Sequence, residues 1–190
     1  FLGKYGNQVM LKILGLSGAR NVTVVHSQQE CLDYVAEFPD ELDVILQERL
    51  DLDRYTEMTV DLRITPDDIS IANVRKIMFS EGLWVGNLVG PEVVLTSAHQ
   101  QVLMKVGECA RAHGFVLPEG INCGIDYFID GDDVVVTEIN ARWTAGLFPT
   151  EIIKMAGAEQ ETGVAFVDLV AADKFDRYLD FIDCYLFSRS

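Results

Sequence analysis

Asp126, Glu138 and Asn140 have the types and spacing to hold a hard divalent cation. Residues 121–129 (INCGIDYFI) read as one strand and residues 134–140 (VVVTEIN) as a second, with Asp130-Gly131-Asp132 as the turn between them. Residues two apart on a strand share a face, so Glu138 and Asn140 are expected to project together, and a tight turn brings Asp126 across from them. Two carboxylates and one amide oxygen are hard oxygen ligation suited to Mg²⁺, with phosphate oxygens or water completing the octahedron. Such a site is weak without nucleotide, because Mg²⁺ is rarely held by an all-protein cage. Spacing alone leaves a second reading open, in which acidic residues on a hairpin simply face water. Asp130, Asp132 and Asp133 are read that way.

The elements that must position these residues are also readable. Residues 8–14 (QVMLKIL) predict a strand, residues 15–21 (GLSGARN) a small-residue loop, and residues 21–26 (NVTVVH) a β-branched strand. Ser27 is a good N-cap for a helix running to about Phe38. Residues 43–50 (DVILQERL) read as a strand, and residues 57–64 (EMTVDLRI) alternate as a half-buried strand does. Pro66-Asp67-Asp68 marks a turn, after which residues 69–78 return as the hairpin partner. Residues 84–89, flanked by glycines and Pro91, read as a loop or short strand. A helix starts at Thr96 or Ser97, carries Val102, Leu103, Val106 and Ala110 on one face, and ends at His113-Gly114. Residues 148–156 predict a helix after Gly146, and the stretch beyond Gly163 reads as helical. His99 and His113 have no ligand partner at helical spacing and are not read as metal ligands. Antiparallel strands with segregated helices predict an α+β architecture.

The segment GINCGIDYFIDGDDVVVTEINAR resembles the signature hairpin of the ATP-grasp superfamily: Gly124, Asp126, Gly131, Glu138, Asn140 and Arg142 follow its pattern. The resemblance implies that Asp126, Glu138 and Asn140 coordinate magnesium (Mn²⁺ as the alternative), and that Arg142 contacts a substrate carboxylate or acyl-phosphate. Gly124 departs from peptide-ligase branches that place an oxyanion-binding arginine there. Upstream, Lys12 followed by Gly15, Ser17 and Gly18 is similar to the strand lysine and phosphate loop of the family, so Lys12 is implied in both ATP binding and catalysis. Small residues there let backbone N–H groups approach phosphate. VILQERL is similar to the hinge strand, implying adenine contacts around Gln47, Glu48 and Leu50, and Glu57 is placed for the ribose hydroxyls. A second phosphate cation is expected from Arg75 or Lys76, with Lys76 expected as the ATP contact.

The resemblance covers residues 8–154 and implies an ATP-grasp fold of two α+β subdomains with ATP between antiparallel sheets. Residues 1–50 are expected to form the nucleotide-binding lid, residues 51–160 the subdomain with the metal hairpin, and residues 161–190 a helical extension. The N-terminal α/β domain that precedes this region in the family is expected to be absent, and a chain opening on Phe1 reads as a fragment or processed form.

Whole-chain composition bounds these readings. A net charge of -15 opposes nucleic acid and anionic lipid as partners but not nucleotide that arrives with its own metal. No run of 18 or more apolar residues predicts a membrane span. Four cysteines without metal spacing predict reduced thiols and a cytoplasmic setting. The expected function is ATP- and Mg²⁺-dependent joining of a small carboxylate to an amine, an amino acid or peptide, through an acyl-phosphate. Homodimers occur in the family and are an expectation here. Two other readings stand beside it: an ATP-binding regulatory or scaffolding module without turnover, and an ATP-grasp carboxylase or thioester-forming ligase. A plain α+β interaction domain is the bland alternative.

Overall fold

A computed structural model of the chain describes residues 2–4, 8–14, 22–38, 43–80, 83–144, 146–158 and 164–165. The described elements fall into two compact units, divided after Arg54.

The first unit is a three-stranded antiparallel sheet in the order β2-β1-β3, formed by β1 (Val9–Ile13), β2 (Val22–Val25) and β3 (Val44–Glu48), with helix α1 (Gln28–Ala36). Alternation along β1 buries Val9, Leu11 and Ile13, and these pack with Val25 against Cys31, Tyr34, Val35 and Phe38 of the α1 region. Met10 and Lys12 take the opposite face. Ser27 caps α1 by accepting from Glu30 N at 3.1 Å, which satisfies one of the orphan donors of the first turn.

The second unit is a six-stranded antiparallel sheet in the order β8-β7-β4-β5-β6-β9. Its strands are β4 (Thr56–Ile64), β5 (Ile69–Ser80), β6 (Leu83–Val89), β7 (Ile121–Asp130), β8 (Asp133–Asn140) and β9 (Val164–Ala165). One face is apolar: Met58, Val60, Leu62, Ile64, Cys123, Ile125 and Tyr127 form a core with Leu103 of α2 (Ser97–Ala112). Gly107 lets that helix approach closely, since a Cβ there would lie 2.8 Å from Leu62 Cδ1. Thr96 and His99 form a capping box at its start, and His99 Nε2 donates to Gly131 O at 2.7 Å, tying the helix to the β7–β8 turn. That is a structural role for His99.

The other face is polar yet largely covered, and helix α3 (Leu147–Met155) lies against it at β5, where Lys154 Nζ donates to Ala72 O at 2.7 Å. Beyond Gly163 the expected helix is corrected at residues 164–165, which add β9 to the sheet edge by pairing with Leu88 and Val89. Among the described residues no helix is long and apolar enough to cross a membrane.

Candidate active site

Strand register gathers the polar face into two rows. Arg75, Thr59, Asp126 and Glu138 lie side by side across β5, β4, β7 and β8, and Asn73, Asp61, Gly124 and Asn140 form the next row. Both rows depend on a β-bulge. From the turn outward, β7 and β8 pair Asp130 with Asp133 and Tyr127 with Val136; continued regularly, Thr137 would face Asp126. An irregularity between Asp126 and Tyr127 inserts Thr137 instead, so Glu138 stands opposite Asp126. Without it, Glu138 and Asn140 would point to the other face.

The metal candidates therefore converge. Asn140 Nδ2 donates to Asp126 Oδ2 at 3.0 Å, and Arg142 Nη2 donates to Asn140 Oδ1 at 2.9 Å. Thr137 Oγ1 donates to the Asp126 carbonyl at 3.1 Å. Burial holds the Asp126 carboxyl above its usual range, against hydrogen bonds from Thr59 and Asn140 and the nearby Arg75 charge, which pull it down. Glu138 remains exposed beside it.

Beneath this row lies a buried network that sequence reasoning missed. Arg75 and Asp61, 1% and 0% exposed, pair at 2.7 Å. Asp61 Oδ1 also accepts from Asn122 Nδ2 at 2.8 Å and from Thr144 Oγ1 at 2.7 Å. Arg75 Nη2 donates to Thr144 Oγ1 at 3.2 Å, and Asn122 Nδ2 reaches the Arg142 carbonyl at 3.3 Å. The segment from Arg142 to Thr144 is thus pinned to the sheet through Asp61. Gly124 makes this possible, because a Cβ there would lie 2.1 Å from Thr144 Cγ2. Burial lowers the Arg75 pKa, and the Asp61 carboxylate opposes that shift. The one sequence signal for the network was an aspartate on an otherwise apolar strand, VDL, with an arginine on its hairpin partner.

The β5 cation is where expectation and structure part. A second bulge, between Asp61 and Leu62, inserts Ala72 and sets Arg75 opposite Thr59 and Lys76 opposite Met58. Lys76 therefore belongs to the other face, away from Asp126. Arg75 is on the right face but committed to Asp61 and Thr144 under Gly146, whose added Cβ would lie 2.7 Å from the guanidinium carbon. It supplies a fixed charge rather than an exposed ligand.

Glu57 shares the face of Thr59 and lies half-buried opposite Phe128. Lys12, in the first unit, stands opposite Val22 and Ile45. Gln47 and Glu48 oppose Met10 and Val9 on β3, and Leu50 follows the strand end. Gly15, Ser17 and Gly18 lie outside the described residues. Arg142 is exposed, and next to it Trp143 stacks on Phe148 with ring centroids 6.1 Å apart.

No family model and no curated protein sequence matches the chain. Solved structures do. A carboxyaminoimidazole ribonucleotide synthase from Aspergillus clavatus complexed with ATP matches with a TM-score of 0.66 at 14% identity, over 97% of this chain and 52% of that one. A biotin carboxylase from Campylobacter jejuni in complex with β-γ-ATP gives 0.61 at 13% identity, over 80% of this chain and 35% of that one. The biotin carboxylase domain of a Hydrogenobacter thermophilus 2-oxoglutarate carboxylase, in complex with MgADP, ADP and bicarbonate, gives 0.62 at 12%, over 80% of this chain and 34% of that one. The chain has the ATP-grasp fold. It spans between 34% and 52% of the length of these structures.

Proposed function

We propose that this chain carries the metal- and nucleotide-handling part of an ATP-dependent ligase that joins a carboxylate to an amine through an acyl-phosphate. The observation that carries the reading is the Asp126–Glu138 cross-strand pair, braced by Asn140 on a face with a fixed Arg75 charge. Like charges directly opposite on a sheet destabilise it, so this placement favours a bound cation. The donor set fits Mg²⁺: two carboxylates and an amide oxygen that keeps a lone pair beside its bond to Arg142. Asp126, Glu138 and Asn140 would hold the metal, which when bound would offset charge on nucleotide phosphates.

The chain's own residues then position and polarise. In the ATP-grasp neighbours, ATP, ADP or MgADP accompanies the same fold, which supports nucleotide as the partner here. Arg142, anchored through Asn140 and the Asp61 network, presents its guanidinium to the substrate carboxylate or acyl-phosphate. Lys12 supplies a point charge to phosphate, Gln47, Glu48 and Leu50 the adenine edge, and Glu57 the ribose, roles carried by the resemblance. In this reading the first unit is the nucleotide lid and the second bears the metal hairpin. The substrate carboxylate oxygen attacks the γ-phosphorus and ADP leaves; the amine then attacks the acyl carbon, phosphate departs, and the nitrogen loses a proton. Positioning and electrostatics carry such a transfer, so no side-chain nucleophile is required.

A second reading has its own support. The matched structures include biotin carboxylases, one holding bicarbonate, so bicarbonate is an alternative acid. ADP release by the full-length protein, screened over amino acids, small carboxylates and bicarbonate, separates the two. Stimulation by an organic acid plus amine supports amide ligation, and stimulation by bicarbonate alone supports carboxylation. Calorimetry with Mg-ADP on this chain tests the common core: wild type binds, Glu138→Gln loses the metal-dependent part, and no binding by wild type ends the assignment.

A further inference from the structure

Asn73 is 7% exposed, and neither its Oδ1 nor its Nδ2 has a hydrogen-bond partner among the described residues. A buried amide left wholly unpaired is costly, and native folds rarely keep one without a purpose. Asn73 does not sit in packed hydrocarbon. It lines a cavity of about 150 Å³ between β5, β6 and α3, whose walls include Val89, Gly90, Thr150, Ile153 and Lys154. A single bridging water does not fill that space, since a water occupies about 30 Å³ of liquid volume.

The walls define the occupant. The Thr150 hydroxyl donates to Gly146 O at 2.7 Å. The Lys154 ammonium donates to Ala72 O at 2.7 Å and pairs with Glu151 at 2.9 Å, so the rim is close to neutral. Val89 and Ile153 are aliphatic and buried. What is left is one planar donor–acceptor edge at the end of an apolar slot, the arrangement of a small-molecule site. A carboxylate suits it poorly: one oxygen would accept from Nδ2 while the other faced Oδ1. A neutral carboxamide satisfies both atoms, its N–H donating to Oδ1 and its carbonyl accepting from Nδ2. Either orientation of the Asn73 amide presents the same edge.

We propose that the Asn73 cavity is a recognition subsite for a neutral carboxamide on a short aliphatic stem. Asn73 lies two residues before Arg75 on the same face of β5, one step along the strand from the Arg75–Thr59–Asp126 row. The slot therefore lies beside the candidate active site. Treating its occupant as part of the ligase substrate rests on the proposed function; the binding of an amide does not. The amide belongs to a free small molecule or to a peptide.

The test follows the Asn73 side-chain NH₂ resonances of the isotopically labelled chain during titration with propionamide, propionate and N-acetyl-alanine amide. Propionamide is expected to give a saturable shift and propionate to bind at least about tenfold more weakly, because a site built on a donor–acceptor edge rejects the analogue that breaks it. Tighter binding of N-acetyl-alanine amide than of propionamide assigns the occupant to a peptide, and the reverse to a free amide. Asn73→Leu abolishes the propionamide response, read on neighbouring backbone amides. Ile153→Phe fills the slot from α3 without touching Asn73 and blocks it too, which decides the matter if the leucine variant fails to fold. Equal response to propionamide and propionate, no saturation, or amide binding that survives both variants overturns the subsite. Calorimetry with Mg-ADP on the same sample reports on the ligase reading separately.

Discussion

Asp61 and Arg75 are buried ions, and such a pair is held together at the expense of desolvation, so its worth shows only when one partner is removed. Asp61→Ala would leave the Arg75 guanidinium uncompensated beneath Gly146 and release Thr144 and Asn122 together. A loss of about 3–5 kcal/mol in unfolding free energy is expected by urea titration. A change under about 1 kcal/mol would mean that water reaches the pair and that it is no more than a surface bridge. Cys123, three residues before Asp126, gives a pH signature of its own. Burial, followed by the Asp61 charge, pushes its thiol from 9.0 up to about 11. A raised acid pKa means the folded state keeps a proton that the unfolded state has lost. Its contribution is therefore whole below pH 9.0 and lost as pH rises through about 11. Cys123→Ala should flatten that part of the stability profile, measured as urea midpoint against pH, with a lower plateau from the lost packing.

At the scale of elements, the two bulges decide which side chains meet. Asp126, Glu138 and Asn140 were legible as a hairpin set because their types and spacing are explicit, and the strands and turn followed from alternation and Gly131. Yet alternation counted from the Asp130–Asp133 pair sends Glu138 to the wrong face, and only the inserted Thr137 corrects it. The choice between Arg75 and Lys76 was not legible for the same reason. Adjacent cations differ by one register step, and the inserted Ala72, whose carbonyl accepts from Lys154 82 residues away, sets that step. A bulge is a backbone event stabilised by distant contacts, so local pattern does not announce it. Deleting Thr137 should restore regular pairing and leave Glu138 opposite Asp126 and Asn140 opposite Gly124, because Thr137 is the extra residue. The expected outcome is that Mg-ADP binding survives in calorimetry, with the far-ultraviolet dichroism of the sheet retained. Loss of binding would show that the site needs the bulge's local twist or the Thr137 bond to the Asp126 carbonyl, and not the register alone.

For the whole molecule, the candidate residues are shared between two units that fold around separate cores, with Lys12, Gln47 and Glu48 in one and Glu57, Asp126, Glu138, Asn140 and Arg142 in the other. The order of motifs along the chain was readable because each motif is local. The buried polar network was not, because Asp61, Arg75, Asn122 and Thr144 come from four separate segments. The division of labour makes a contrast testable. A net charge of -15 means that any salt relieves self-repulsion, so Mg²⁺ must be compared with Na⁺ at equal ionic strength. Specific ligand stabilises by mass action, about 2.7 kcal/mol at a hundredfold excess over Kd. Wild type should therefore gain thermal stability from Mg-ADP beyond the salt effect. Glu138→Gln should lose the difference between Mg-ADP and metal-free ADP, since the metal loses a carboxylate. Lys12→Ala should weaken ADP with and without metal by a similar factor, because a lysine on phosphate acts as a point charge whether or not the metal is present. If Lys12→Ala instead leaves ADP affinity unchanged in both conditions, nucleotide phosphate is not held by Lys12, and the role assigned to that residue must be withdrawn.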